Sequence, residues 1–429
     1  MNAKANNTID KVRQLQRKLY LSAKKGRRRF HAIYDKVYRE DVLLEAWKRV
    51  KANRGASGID EVSIGDIESY GTEKFLVEIR DELIENRYKA LAVKRVYIEK
   101  SDGKQRPLGI PTVKDRIVQM AVKLMIEPLF EADFKNNSYG FRPKRSARMA
   151  LEEVRKACNN KGYYVIDADI KSYFDNINHD KLMLLIEQRI SDRRVMKLIR
   201  NWLKAGVLHE GRHEESTIGS AQGGVISPLC ANIYLNVLDN MWEKHGKSYG
   251  KLVRYADDVV IICKNKKNAK HAMSLLQAVM TKLELELHPE KTKMVSMWDG
   301  KEGFDFLGMH HRSMKSMTSK GRVYRETYQY PCKKAMKNMK GSIKEILGNR
   351  AVLAKDMKYL IEKLNPKIRG WRNYYGVKTA KRWLNSIDWY VIRRYTIWYN
   401  EKHQKRNRMA HVSMVRKLAN GKGLLKLAA

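Results

Sequence analysis

The chain has 429 residues, with 87 Lys and Arg against 47 Asp and Glu, a formal charge of +40 at pH 7, and 43% hydrophobic residues. That apolar content excludes a disordered chain. No window reaches the ~18 apolar residues of a membrane span, and the polar start, Met1-Asn-Ala-Lys, has no signal-peptide core. Cys158, Cys230, Cys263 and Cys332 stand far apart without C-x-x-C spacing, which excludes a disulfide framework and a zinc site. So large a positive charge repels itself, and its natural counterpart is a polyanion. A soluble, nucleic-acid-associated protein from a reducing compartment, with about two to four domains, is expected.

Residues 1–50 read as helices with basic faces, and Lys24-Lys25-Gly26-Arg27-Arg28-Arg29 is the densest positive run. The turn-rich Arg54-Gly-Ala-Ser-Gly58 closes this stretch. Val93–Glu99, Ser101-Asp102-Gly103 and Arg106-Pro-Leu-Gly-Ile-Pro111 predict a hairpin, and residues 112–133 a helix. Strand-like runs recur at Tyr163–Ile170, Lys251–Cys263 and Gly303–Met309, with helical stretches between them. Mixed elements without a regular repeat predict an α+β fold. From about Tyr330 the chain turns helical, basic and aromatic. Trp383, Ile387, Tyr390 and Val391 fit one helix face, which reads first as packed core and second as a base-stacking surface.

The chemistry concentrates at Tyr255-Ala-Asp-Asp258, followed by the apolar Val259-Val-Ile-Ile-Cys263. Two adjacent acids at a strand turn are either a polar hairpin tip or a pair that shares a cation. A second acidic strand tips the balance. In Tyr163–Ile170, period 2 places Val165, Asp167 and Asp169 on one face. Carboxylates from both segments can complete a site for two ions about 3.5–4 Å apart, suited to phosphoryl transfer. Asp175 reads as a helix N-cap. Between the two segments, Gly223-Gly224 permits close backbone approach, and Ser227-Pro228 reads as a capped helix start.

Asp169 with Phe174, Gln222-Gly-Gly-x-x-Ser-Pro-Leu, Tyr255-Ala-Asp-Asp258, Leu287-His-Pro-Glu-Lys-Thr292 and Phe304-Asp-Phe-Leu-Gly308 resemble the ordered palm motifs of a reverse transcriptase. Gly55-Ala-Ser-Gly-Ile-Asp60, Arg106–Arg116, Ser138-Tyr-Gly-Phe-Arg-Pro143 and Leu364–Gly376 are similar to the fingers and maturase thumb of group II intron-encoded proteins. The resemblance implies a right-hand polymerase, fingers and palm, followed by an all-helical thumb or maturase domain. It divides the chain into a basic helical extension (1–50), fingers with the start of the palm (51–162), palm (163–312), helical thumb (313–378) and a short basic C-terminal segment (379–429).

The same resemblance implies roles. Asp169, Asp257 and Asp258 would be catalytic and bind two Mg²⁺ ions, for which Mn²⁺ can substitute, with Ile170 counted among the metal-binding positions. Lys100 and Arg106 would grip the triphosphate of the incoming dNTP. Phe174 would be the sugar gate, with Tyr173 its rival. Gln222 would touch the base-pair region, and Lys291 would sit near the leaving phosphates or else be a solvated lysine. Lys24, Lys25, Arg27, Arg28, Arg29, Lys367, Arg369 and Arg372 would bind RNA, against a plainer reading as solvated faces. The family usually has proline where Ala221 stands. A tail without paired cysteines implies the form lacking an HNH endonuclease. The expected partners are intron RNA, an RNA template with its DNA primer, dNTPs and target DNA, with no membrane, in a bacterial cytoplasm and associated with nucleoid or ribonucleoprotein. Two alternatives stay open: a host-adopted reverse transcriptase of repair or defence, and a splicing maturase whose polymerase activity is secondary.

Overall fold

The computed structural model describes residues 2–26, 28–99, 103, 105–209, 212–214, 218–219 and 223–428. Its strands are β1 (Val93–Glu99), β2 (Gln105–Ile110), β3 (Tyr164–Asp169), β4 (Val207–His209), β5 (Arg212–Glu214), β6 (Gly250–Tyr255), β7 (Asp258–Cys263), β8 (Lys293–Ser296), β9 (Gly303–Phe306), β10 (Met309–Met317) and β11 (Val323–Pro331). They form three sheets, ordered β2-β1-β4-β5, β6-β7-β3-β8 and β11-β10-β9. The second is antiparallel throughout, with β7 and β3 central.

Strand alternation gives that central sheet two buried faces. Ile166, Ala168, Val259 and Ile261 join a large core shared with the N-terminal helices and with helix Val113–Glu131. Val165, Val253, Val260 and Ile262 face a smaller core under helix Ala147–Asn159, with Phe304 and Phe306 from β9. Each buried Val, Ile or Phe among them contributes about 1.5–3 kcal/mol by leaving water. Helix Val113–Glu131 starts where the Thr112 hydroxyl accepts from the Asp115 N–H at 3.0 Å, and its apolar residues point nearly all round because other elements cover it on most sides.

The expected helical unit from residue 313 begins later. Residues 309–331 form the long β10–β11 hairpin, and the helices start at Lys333. The alternation there is hard to see because the buried positions include the polar His311, Thr327 and Gln329. Beyond it, helices Lys333–Leu347, Met357–Tyr375, Lys381–Lys402 and Val412–Gly421 contribute to one core, from Met339 through Tyr395 and Trp398 to Leu427. Residues beyond 379 thus pack with the preceding helices. Ile387 and Val391 are buried, and Trp383 lies flat on Tyr330, rings 3.6 Å apart.

Candidate active site

The β6–β7 hairpin turns through Ala256 and Asp257, with Tyr255 opposite Asp258. Ala256 takes a positive φ of 56°, a conformation that costs a side-chain-bearing residue energy and persists only when its surroundings enforce it. On the other side of β7, Asp258 is the direct register partner of Asp169 on β3. Asp169, distant in the sequence, therefore meets the adjacent Asp257 and Asp258 at one end of the sheet.

The segment holding Lys291 is tied to the same end. His288 donates its N–H to the Asp169 carbonyl at 2.7 Å, and Lys171 donates its N–H to Glu286 at 2.9 Å. Ile170 bridges to Leu287. These ties bring the Lys291 ammonium to 2.7 Å from the Asp169 carboxylate.

Behind the hairpin lies a group that sequence reasoning missed. Arg254 is wholly buried and ion-paired with the buried Asp239. Its guanidinium also donates to the Asn232 amide oxygen at 3.0 Å and to the Ala256 carbonyl at 2.9 Å. Asn232 in turn donates to the Gly140 carbonyl at 2.8 Å. Tyr139 donates its N–H to the Arg254 carbonyl at 2.9 Å, and Arg254 donates its own N–H to the Asn137 carbonyl at 2.8 Å, which brackets β6 from its edge. Gly140 is needed there, because a Cβ would stand 2.3 Å from the Ala256 nitrogen. The available signal was an arginine inside the apolar Leu252-Val253-Arg254 run; its partner, on another element, leaves no sequence signature.

Electrostatics follow from the crowding. Loss of water raises the Asp257 carboxyl above its usual range, and Asp169 adds repulsion, while Arg106 and Arg254 oppose the shift. Asp258 reaches solvent at the mouth of the site but has protein behind it. That desolvation, with Asp257 and Asp169 nearby, pushes it up to about 7 against the pull of Lys291. Asp167 also rises to about 7, mainly through burial and then through Asp258. Acids so placed stay ionised most readily when a cation shares them, and an all-oxygen donor set suits hard Mg²⁺. Among the described residues, no three His, Cys, Asp or Glu side chains are already gathered as a complete ligand set; Asp169 is turned toward Lys291 instead.

Tyr173 is buried and donates its hydroxyl to the Ala231 carbonyl at 2.5 Å. Phe174 is half-buried, with its ring 5.5 Å from that of Tyr173. Asp175 sits in the 3₁₀ turn Tyr173–Asn176, and Asn178 caps the next helix, so the expected N-cap role moves three residues on. Ser227 is likewise not the cap of helix Ser227–Met241. Its N-cap is Ile226, and the Gln119 side chain pins the approach to the helix by accepting from the Val225 N–H at 2.9 Å. Gly223, at φ 130°, lies so close to β2 that a Cβ would meet the Gly109 carbonyl at 2.5 Å. Lys100, Gln222 and Arg27 lie outside the described residues.

Lys24, Lys25, Arg28 and Arg29 are exposed, as are Lys367, Arg369 and Arg372 on helix Met357–Tyr375. Lys24 donates to the Ala132 carbonyl at 3.2 Å, and Arg29 pairs with Glu187 at 3.1 Å. No helix among the described residues is long and apolar enough to cross a membrane.

Comparison with known proteins fits this geometry. The family described as "Reverse transcriptase (RNA-dependent DNA polymerase)" matches residues 98–311, and "Group II intron, maturase-specific domain" matches 336–415. Protein YkfC of Escherichia coli is 34% identical over 73% of this chain and 91% of its own length. The group II intron-encoded protein LtrA of Lactococcus lactis is 38% identical over 49% of this chain and 35% of its own length, so the chain spans about a third of that relative. An uncharacterized 91 kDa protein in a cob intron of Schizosaccharomyces pombe is 26% identical over 84% of this chain and 52% of its own length. The chain belongs to the group II intron-encoded reverse transcriptase and maturase family and is an RNA-directed DNA polymerase.

Proposed function

We propose that the chain extends a DNA primer on an RNA template, with Asp169, Asp257 and Asp258 as the catalytic carboxylates. The observation that carries this is the register partnership of Asp169 with Asp258 beside the turn that presents Asp257. These three acids, with Ile170 adjoining, would hold two Mg²⁺ ions. Bound there, Mg²⁺ would lower the charge barrier between the primer 3′-hydroxyl and the dNTP α-phosphate. Arg106, whose charge already acts on Asp257, lies on β2 and would grip the dNTP phosphates together with Lys100. Lys291 would deliver a proton to the departing pyrophosphate oxygen as the new ester bond forms. Phe174 would stand against the sugar, a reading supported by the burial of Tyr173, and Gln222 would border the base pair.

Binding of structured intron RNA, splicing assistance and retrohoming into target DNA form the second part of the proposal. It is supported by the match to the maturase-specific domain and by the exposed cations at Lys24–Arg29 and at Lys367, Arg369 and Arg372. The chain would divide near 50, 162 and 312, with the helical part of the thumb starting at Lys333 and sharing its core with the residues expected as a separate segment from 379.

Two measurements test the polymerase reading. Asp257→Asn should cut primer extension by about a hundredfold or more, the scale of losing one group that stabilises developing charge, and leave RNA binding in a filter assay nearly intact. Extension at the wild-type rate would remove Asp257 from the site. Phe174→Val should admit ribonucleotides by removing a clash, read as rNTP against dNTP incorporation. Unaltered discrimination would move the gate elsewhere.

A further inference from the structure

The sheet that carries the acids has a second end. There β6 begins at Gly250 and β7 ends at Cys263, about 17 Å from Asp258 at the strand rise of about 3.4 Å per residue. A groove of about 2310 Å³ runs past this end, between helix Ala147–Asn159, the end of helix Ser227–Met241 and the residues around Lys24 and Arg29. Lysine and arginine outnumber carboxylates on its walls, and several asparagines stand among them. Lys244, Lys264 and Lys282 are exposed, and no ion pair ties them among the described residues. Lys244 rises from the π-helical turn Trp242–Gly246, a distortion that recurs at functional positions. The Asn236 amide oxygen, on the same wall, is buried without a hydrogen-bond partner among the described residues.

A smaller cavity of about 370 Å³ adjoins the groove, since Gly162 lines both. Trp298 forms part of its wall and is 61% exposed, its ring edge-on to Tyr163 at 4.5 Å. An exposed tryptophan costs solvation unless something stacks on it. Beside a basic groove, that something is most simply a base.

We infer that this groove is a second nucleic-acid site, separate from the primer–template cleft, which takes the phosphate backbone of a folded RNA while Trp298 stacks an unpaired base. The lysines supply sequence-independent attraction to phosphate. The amides can pair with 2′-hydroxyls, which DNA lacks. Lys24 and Arg29 line the groove and connect it to the N-terminal cations, so the inference rests on the intron-RNA reading above.

The test uses the full chain and four probes: an RNA hairpin with an unpaired bulge, the same RNA hairpin fully paired, a DNA hairpin of the bulged sequence, and a short RNA template annealed to a DNA primer. The combined variant Lys244→Gln, Lys264→Gln, Lys282→Gln should bind the RNA hairpin about tenfold more weakly, with the slope of log K against log salt flatter by about 2. Trp298→Ala should weaken binding of the bulged hairpin but not of a fully paired one. Primer extension should keep its wild-type rate in both variants. Unchanged affinity and slope in the triple variant would overturn the inference, and so would an equal loss on the DNA hairpin, which would mark a generic duplex site. Failure of the wild-type chain to extend the primer would instead remove the polymerase reading, whatever the hairpin result.

Discussion

The two ends of the central sheet handle charge in opposite ways. At one end Asp169, Asp257 and Asp258 crowd together, partly desolvated, with a wholly buried Arg254 behind them. At the other, lysines spread over an open groove in contact with water. Coulombic energy rises steeply as water is removed. The acidic end therefore depends on a few short-range contacts, each expensive to lose, whereas the basic end depends on many weak and screened ones. The same strands serve a site that must be rigid and a surface that need only be positive.

The sharpest way to break this comparison is at Arg254. Arg254→Met leaves Asp239 buried without its cation and should cost about 3–5 kcal/mol in thermal or denaturant unfolding. Pairing it with Asp239→Leu should recover much of that loss. A groove substitution such as Lys264→Gln should stay within about 0.5 kcal/mol. Similar costs for Arg254→Met and Lys264→Gln would erase the distinction between the two ends.

A smaller effect sharpens it. Asp258 and Asp167 bind protons more tightly in the fold than when free. Ionising them therefore works against folding: their stabilising contribution is complete below the ordinary carboxylate range and is lost as pH climbs toward 7. Without divalent cation, stability should fall across that interval. Asp258→Asn should flatten the fall by about 1 kcal/mol, after discounting for its contact with water. Melting curves from pH 4 to 8, with and without Mg²⁺, would show this, and a wild-type profile flat in metal-free buffer would contradict it.

The smallest effect concerns how the helical unit reaches the acidic half of the molecule. Tyr374 donates its hydroxyl to the Leu307 carbonyl at 2.7 Å. This links the Leu364–Gly376 segment to the turn after β9. Tyr374→Phe should cost about 0.5 kcal/mol and raise hydrogen exchange in helix Met357–Tyr375 before it affects the central sheet. Exchange rising equally in both would make the two regions one cooperative unit.

What could be read from the sequence followed a physical division. β3 and β7 were legible because apolar runs with acids at one end have few other uses, and the β1–β2 hairpin because Ser101-Asp102-Gly103 marks a turn. β10 and β11 were not, because their inward positions hold His311, Thr327 and Gln329; the Gln329 side chain donates to the Leu151 carbonyl and the Thr327 N–H to Asn159, partners that a linear pattern does not show. His311 stacks on Phe304 at 4.8 Å, and burial drives its pKa down to about 3, so it packs as a neutral ring. At the site, Asp169, Asp257 and Asp258 stood out by residue type and spacing. Arg254, Asp239, Asn232 and Gln119 did not, since each matters only through a neighbour on another element. The basic groove was invisible for the same reason: its cations come from segments scattered between Lys24 and Lys282.

The close passage of Gly140 over Ala256 has a practical corollary for protein engineering. The acid-bearing turn is not a detachable module, because its backbone shape is imposed from outside by a loop more than a hundred residues earlier in the chain. Transplanting residues 250–263 alone into a related scaffold would carry the carboxylates without the support that aims them. A graft meant to retain activity would have to bring residues 137–140 and the Asn232–Asp239 helix face with it, as three strips of sequence treated as one heritable part.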